Sequence, residues 1–162
     1  MTDSDDWEAR VAAVWATASD LSDDEVLAAI DDLAAEKGDA DAAAAFEAAS
    51  IRDNLGLEPE AEPLYRRALE LGLDDVRYSR AVIQLASTLR NVGEAEESID
   101  LLTDWLAEND DHELSDAAAA FLALALASAG RTTEALTVAL DTLAPHLSHY
   151  GASVAGYAEE LE

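Results

Sequence analysis

Three glycines stand at a fixed interval of 37 residues, and this spacing constrains the fold more than any other feature of the sequence. Gly56, Gly93 and Gly130 are each preceded by an alanine at the seventh position and followed by a glutamate at the fourth. Glycine takes a left-handed backbone at no steric cost, and an acidic residue suits the positive end of a new helix. The pattern therefore predicts three helical hairpins, each with its bend at a glycine.

The residues around each glycine repeat with it and describe two packed helices. Small residues recur seven positions before and five positions after the glycine, where two helix backbones approach closely. Larger apolar residues recur eight and thirteen positions after it, as a helical stripe. The small set is Ala49, Ala86, Ala123, Ala61, Ser98 and Ala135, and the large set is Leu64, Leu101, Val138, Leu69, Leu106 and Leu143. Each large side chain contributes about 1.5 to 3 kcal/mol when it is buried, so we expect the hairpins to stack.

The first hairpin resembles the tetratricopeptide repeat (TPR), whose pattern is a small residue, a turn glycine, and then small, aromatic and small residues on the second helix. The residues that carry the resemblance are Ala49, Gly56, Ala61, Tyr65 and Ala68. The second hairpin departs from the pattern at Leu102 and Trp105, and the third departs at Ala139 and Thr142. The resemblance implies an all-α fold, a right-handed α-α superhelix or TPR-like solenoid, of about nine helices.

Two longer stretches, EAEPLYRRALELGLDD and RAVIQLASTLRNVGEAEESI, are similar to a small bacterial family of short TPR proteins, often actinobacterial, without an assigned function. The resemblance implies a partner that is a protein or a peptide, and it does not specify which one. The length of the chain fits a single domain over residues 1–162. The predicted parts are a degenerate helix pair at 1–38, repeat units at 39–75, 76–112 and 113–146, and a capping helix at 147–162.

The ends of the chain carry their own helix signals. Ser22 and Glu25 have the spacing of a capping box, which predicts a helix from there to about Lys37. One face of the final helix carries Tyr150, Val154, Tyr157 and Leu161. This helix has two interpretations: it caps the apolar end of the stack, or it forms the interface of a homodimer.

The chain is strongly acidic, with a formal net charge of −27. Such a charge repels nucleic acid and anionic membranes, so we expect neither as a partner. Mimicry of a polyanion is the functional alternative to a simple role of the charge in solubility. The absence of cysteine favours a cytoplasmic protein, and no apolar run is long enough to span a bilayer.

Basic residues are concentrated in the middle of the chain. Residues 1–51 contain fourteen acids and two bases, residues 52–90 contain seven acids and six bases, and residues 91–162 contain fifteen acids and one base. The acidic ends and the nearly neutral middle therefore differ in the partners they can attract.

A polar stripe in this middle region is the predicted binding site. In a stack of TPR type, the first helices of the units line the concave surface. Residues 79–92 predict such a helix, with Val82, Leu85, Ala86 and Leu89 on its buried side and polar residues on the other. The residues predicted to bind a partner are Asn54, Ser50, Arg80, Gln84, Ser87, Arg90 and Asn91.

The chemistry of this stripe suits a peptide. Asn54 and Asn91 are equivalent repeat positions, and asparagine both donates to and accepts from an extended backbone. Arg80 and Arg90 suit a carboxylate, which resembles the carboxylate clamp of chaperone-binding TPR domains. The expected lysines are missing, and Glu47 on the same stripe would oppose an acidic ligand. The alternative is that these residues are only a solvated helix face.

The first helix of the third hairpin differs, because Ala117, Phe121, Leu124 and Ser128 replace the polar residues there. A bare apolar patch of this size is uncommon on a monomer, which favours cover by the final helix. The alternative interpretation is an apolar floor for a ligand. A third alternative is a structural role through self-association. The sequence features that favour it are this apolar helix and the aromatic residues of the terminal helix.

No catalytic, metal or cofactor site is predicted. Thirty-six carboxylates make chance pairs inevitable, so spacing identifies no general acid and base. His146 and His149 with Asp141 have a spacing that suits a metal ion, but histidine is ordinary at helix ends. A carboxylate- or metal-based hydrolase is therefore the weakest of the alternatives.

Overall fold

The computed structural model describes the backbone of residues 3–161 and the side chains of residues 6–161. This part of the chain consists of nine α-helices and two short 3-10 turns, and it contains no strand. The helices are α1 (Asp3–Thr17), α2 (Asp23–Lys37), α3 (Ala42–Asn54), α4 (Glu58–Leu71), α5 (Asp75–Val92), α6 (Ala95–Glu108), α7 (Ser115–Ser128), α8 (Thr132–Leu143) and α9 (Gly151–Glu159). The turns are Ala18–Asp20 and Ala144–His146. The all-α prediction is confirmed.

Each predicted hairpin bend lies at its glycine. Gly56, Gly93 and Gly130 have φ angles of 73°, 98° and 80°, in the left-handed region where a side chain is strained. The amide after each glycine donates to a carbonyl five residues earlier, which closes the end of the helix as a Schellman motif. These pairs are Leu57 with Arg52 at 2.8 Å, Glu94 with Leu89 at 2.8 Å, and Arg131 with Leu126 at 2.9 Å. The same bend geometry therefore occurs at all three glycines.

Side chains fix the starts of two other helices. The capping box of α2 forms as predicted, with the Ser22 amide donating to Glu25 Oε2 at 2.9 Å. This bonding lowers the pKa of Glu25, and the hydrogen bond with the Ser22 side chain is the largest cause. Asp41 Oδ1 accepts from the Ala44 amide at 2.9 Å and caps α3.

The start of α5 differs from the prediction. The helix was predicted over residues 79–92, but α5 already begins at Asp75, and only Gly72 to Asp74 separate it from α4. The Arg77 amide donates to Asp74 Oδ1 at 2.9 Å, so this carboxylate caps the early helix start. The sequence pattern missed the extra turn because its apolar spacing begins later.

The chain separates into two compact units, Met1–Ala81 and Val82–Glu162, and the division falls within α5. In the first unit, α2 packs against both α1 and α3. The buried residues of this core are Trp7, Val11, Val26, Ile30, Leu33, Ala44 and Ile51. Trp7 Nε1 donates to the Leu33 carbonyl at 2.8 Å, which ties α1 to α2. Helices α1 and α2 thus share one core with α3.

In the second unit, α6 packs against α7, α7 against α8, and α8 against α9. Small residues permit close approach within its hairpins. The Ser98 hydroxyl donates to the Ala86 carbonyl at 2.6 Å, and Ala123 and Ala135 are buried at the equivalent positions of the next hairpin. The interval of 37 residues therefore describes packing as well as sequence.

Candidate functional site

Arg80 is an exposed cation that lies against an aromatic ring. Its guanidinium carbon is 5.9 Å from the centre of the Phe46 ring, and Phe46 itself is buried in α3. Such a contact contributes about 0.5 to 1 kcal/mol at an exposed site and leaves the N–H groups available. Arg80 is thus held in place by a group that does not use its hydrogen-bonding capacity.

Other arginines are bound by carboxylates, which makes Arg80 and Arg90 distinct. The paired ones are Arg10 (with Asp6 and Glu36), Arg52 (with Asp31 and Glu60), Arg66 (with Glu62), Arg67 (with Glu70), Arg77 (with Glu8, Glu47 and Asp74) and Arg131 (with Glu96 and Glu134). Among residues 6–161, no carboxylate lies within 4.0 Å of Arg80 or Arg90. In so acidic a chain, two unpaired guanidinium groups are the unusual feature.

The two residues of α3 that the sequence predicted to bind a partner differ in exposure. Ser50 is 7% exposed, and the Tyr65 hydroxyl lies 3.5 Å from its Oγ and 3.3 Å from Asp53 Oδ2. Burial raises the pKa of Tyr65, so this phenol stays neutral. Asn54, at the last residue of α3, is exposed. Of the two α3 residues predicted to bind, only Asn54 is therefore presented to solvent.

Glu47 does not face outward either, contrary to the prediction. It is 7% exposed, its Oε2 accepts from Trp15 Nε1 at 2.8 Å, and its Oε1 is 3.5 Å from Arg77 Nε. Arg77 also binds Glu8 and Asp74, so it is the centre of an ion-pair network in the first unit. Glu47 is thus a structural residue, because its charge is matched inside the fold.

The second half of α5, which belongs to the second unit, is more buried than predicted. Val82, Leu85, Ala86 and Leu89 are buried as expected, but Ile83 and Thr88 are buried too. The polar face is therefore narrow, since a helix buried on most of its circumference exposes only an edge.

Polar groups at this edge keep unused hydrogen-bonding capacity. An Arg90 terminal nitrogen donates to Asn91 Oδ1 at 2.9 Å, and Asn91 is exposed. Gln84 Oε1 and Arg90 Nε are buried atoms with no hydrogen-bond partner among residues 6–161. Gln84 and Ser87 are half-buried. An unsatisfied buried polar atom costs about 1 to 3 kcal/mol, so both atoms lower the stability of this part of α5.

The apolar helix predicted in the third hairpin is α7, and the final helix does not cover it. Ala117 and Ser128 are exposed, and Leu124 is 49% exposed. In the described part of the chain, α9 packs against α8 and the Ala144–His146 turn, with Ala158 buried. The expectation that α9 lies over this helix was wrong, because α9 packs against α8, where Ala158 is buried.

The predicted aromatic face of α9 is exposed. Tyr150 is 82% and Tyr157 67% exposed, and Tyr150 begins the helix with a φ of 68°. Its ring lies edge-on to that of His149, with 6.5 Å between the centres. These tyrosines therefore belong to the surface of the second unit.

The histidines lie apart from the arrangement that a metal ion requires. His146 Nε2 is 2.9 Å from Asp116 Oδ2, while His112 Nδ1 accepts from the Leu114 amide at 3.0 Å. Among the described residues, no group of three or more acidic or histidine side chains has the geometry of a metal site.

The comparisons with known proteins agree with the hairpin geometry. The family model described as tetratrico peptide repeat matches residues 42–161, which begin with α3 and include α9. Searches of curated proteins and of solved structures found no match. None of the helices described combines the length and apolar character needed to cross a bilayer. The chain belongs to the tetratricopeptide repeat family, whose helical hairpins are scaffolds for contact between proteins.

Proposed function

We propose that this chain is a non-catalytic scaffold that binds a protein or peptide through a carboxylate, with Arg80 of the first unit as the group that receives it. The observation that carries the proposal is the state of Arg80 and Arg90, which have no carboxylate partner in the described chain despite its large excess of acids. A guanidinium group binds a carboxylate through two parallel hydrogen bonds. The ligand therefore carries an acidic side chain or a free chain terminus.

Exposed polar residues that suit such a ligand occur in each unit. In the first unit, Arg80 is oriented by the Phe46 ring, and Asn54 is exposed at the end of α3. In the second unit, Asn91 is exposed and lies beside Arg90. Asn54 suits the backbone amides and carbonyls of an extended ligand, since its side chain donates and accepts.

Gln84 and Ser87 are half-buried polar residues of the second unit. The Oε1 of Gln84 is itself buried, and Ser87 adds a hydroxyl. Ser50 supports the surface indirectly, because its contact with Tyr65 stabilises α3. The burial of Glu47 removes the strongest objection to an acidic ligand, since its charge is matched by Arg77.

The experiment is a selection of peptides with free carboxyl ends from a displayed library, followed by titration of the best binders. We expect Arg80→Gln to weaken binding by at least about tenfold, since a charge-assisted hydrogen bond contributes about 1.5 to 3 kcal/mol. Arg67→Gln is the matched control, because Arg67 is an exposed arginine of α4 paired with Glu70. Equal selection by wild type, Arg80→Gln and Arg67→Gln would contradict a role for Arg80.

Self-association is a second candidate, and the exposure of Tyr150 and Tyr157 favours it. Two copies repel each other through their net charge, so a dimer of this kind strengthens as salt screens the repulsion. Sedimentation at low and high salt measures it. A dimer that Tyr150→Ser with Tyr157→Ser dissociates supports this candidate, and a monomer under both conditions excludes it.

A further inference from the structure

An apolar groove lies between α7 and α8 in the second unit. Its volume is about 620 Å³, and alanine and leucine side chains form most of its wall. Leu124, Leu136 and Leu143 line it and are 49%, 47% and 48% exposed. Three half-exposed leucines in one groove are a concentrated apolar surface, which marks contact sites on proteins.

A comparison of equivalent repeat positions indicates which face of the hairpin this groove occupies. Leu136 and Ala139 of α8 correspond, at the interval of 37 residues, to Ile99 and Leu102 of α6. Ile99 is 5% exposed and Leu102 is fully buried, and α7 packs against α6. The groove is therefore the face on which a hairpin stacks the next helix. On α8 that face is open.

The position of α9 supports this assignment. The Thr137 hydroxyl donates to the carbonyl of Ala158 in α9 at 3.4 Å, so α9 lies on the side of α8 that includes Thr137. The residue equivalent to Thr137 on α6 is Asp100, which is exposed. Thus α9 covers a face that the preceding hairpin leaves in water, and it leaves the stacking face free.

The charge of the second unit favours one class of occupant. Residues 91–162 contain fifteen acids and one base, and that base, Arg131, is already paired with Glu96 and Glu134. Asp116, at the edge of the groove, is 2.9 Å from His146. A second copy of this chain would bring the same acidic surface and be repelled. A basic segment is attracted, and its charge also accelerates encounter.

We propose that the α7–α8 groove binds a cationic amphipathic helix of a partner protein. Its apolar side chains, spaced i, i+3 or i+4, and i+7, would contact Leu124, Leu136 and Leu143, as in other helix-in-groove complexes. Its lysines and arginines would face the acidic surface of the second unit. The twelve residues of α8 give a groove about 18 Å long, which accommodates about three turns of such a helix. This site is independent of the carboxylate site proposed for α5.

The test is calorimetric titration of the full chain with a synthetic amphipathic Leu/Lys peptide, in about 0.15 M salt. We expect one saturable site, and no binding of the matched Leu/Glu peptide. The variant Leu124→Gln, Leu136→Gln and Leu143→Gln changes only half-exposed side chains, and circular dichroism checks that it folds. We expect it to bind the Leu/Lys peptide at least about tenfold more weakly, because the apolar contacts are lost.

The control variant is Val76→Gln with Tyr78→Gln, which removes exposed apolar side chains from the first unit at unchanged charge. It should bind the Leu/Lys peptide as wild type does. The proposal is overturned if the Leu/Lys peptide does not bind. It is also overturned if the triple variant binds the peptide as tightly as wild type, since charge alone then accounts for binding. A wild-type dimer that the triple variant dissociates overturns it too, because the occupant is then a second copy.

Discussion

The hairpins α5–α6 and α7–α8 are built alike but covered differently. Both bend at a glycine in the left-handed region and close with the same amide-to-carbonyl bond. Ile99 on α6 is 5% exposed, whereas its equivalent on α8, Leu136, is 47% exposed. The comparison teaches that a repeat determines its own bend, while the helix stacked on it determines which face is buried. The last hairpin therefore presents an apolar face that the preceding hairpin hides.

Truncation of the same position in the two hairpins should have very different effects on stability. Ile99→Ala should lower the free energy of unfolding by about 2 to 5 kcal/mol, because it leaves a cavity in packed surroundings. Leu136→Ala should lower it by less than about 1 kcal/mol, because the side chain is already half in water. Urea unfolding of both variants measures the difference. Equal losses would mean that the α8 face is covered in solution.

The bends offer a second comparison, in which the two hairpins should behave alike. An added Cβ has no atom within 4 Å at Gly93 or at Gly130, so only the backbone conformation opposes alanine. Gly93→Ala and Gly130→Ala should each lower the free energy of unfolding by about 1 to 2 kcal/mol. The urea midpoints of wild type and of the two variants measure both losses. A loss at one bend without a similar loss at the other would show that the bends are not equivalent.

A smaller effect separates the first hairpin, α3–α4, from the other two. Tyr65 occupies the position of Leu102 and Ala139, and burial raises its pKa above the ordinary value of about 10. The unfolded phenol ionises at about pH 10 while the folded one stays neutral, so its contribution to stability is complete below that pH and declines above it.

We therefore expect the stability of wild type to fall more steeply than that of Tyr65→Phe above about pH 10, by up to about 1.4 kcal/mol per pH unit. Urea unfolding at several alkaline pH values gives the two slopes. The exposed tyrosines are common to both proteins and cancel. Parallel slopes would indicate that Tyr65 is accessible to water in the folded chain.

Local signals in the sequence predicted much of the fold. The bends at Gly56, Gly93 and Gly130 and the capping box at Ser22 each depend on a few neighbouring residues, so spacing alone predicts them. The side of α8 on which α9 lies was not predictable in this way. Ala158 makes that contact, and alanine carries little periodic signal among the larger residues of the helix.

The candidate site was harder to predict for the same reason. The sequence placed Glu47 and Ser50 on an exposed stripe by helical spacing, but distant residues bind both of them. Trp15 lies 32 positions before Glu47, and Tyr65 lies 15 positions after Ser50. Helical periodicity describes one helix at a time, so it does not show which neighbour covers a face. Whether Arg80 has an ion-pair partner likewise depends on the positions of all the acidic side chains in the folded chain.

The openness of the α7–α8 groove is tested most directly by amide hydrogen exchange of α6 and α8, measured by mass spectrometry on the monomer. Exchange reports the local opening of a helix, and a helix with an uncovered apolar face opens more readily. We predict that the amides of α8 exchange at least about tenfold faster than those of α6, and that the Leu/Lys peptide slows α8 alone. Equal protection of α6 and α8 in the free monomer would contradict an open groove.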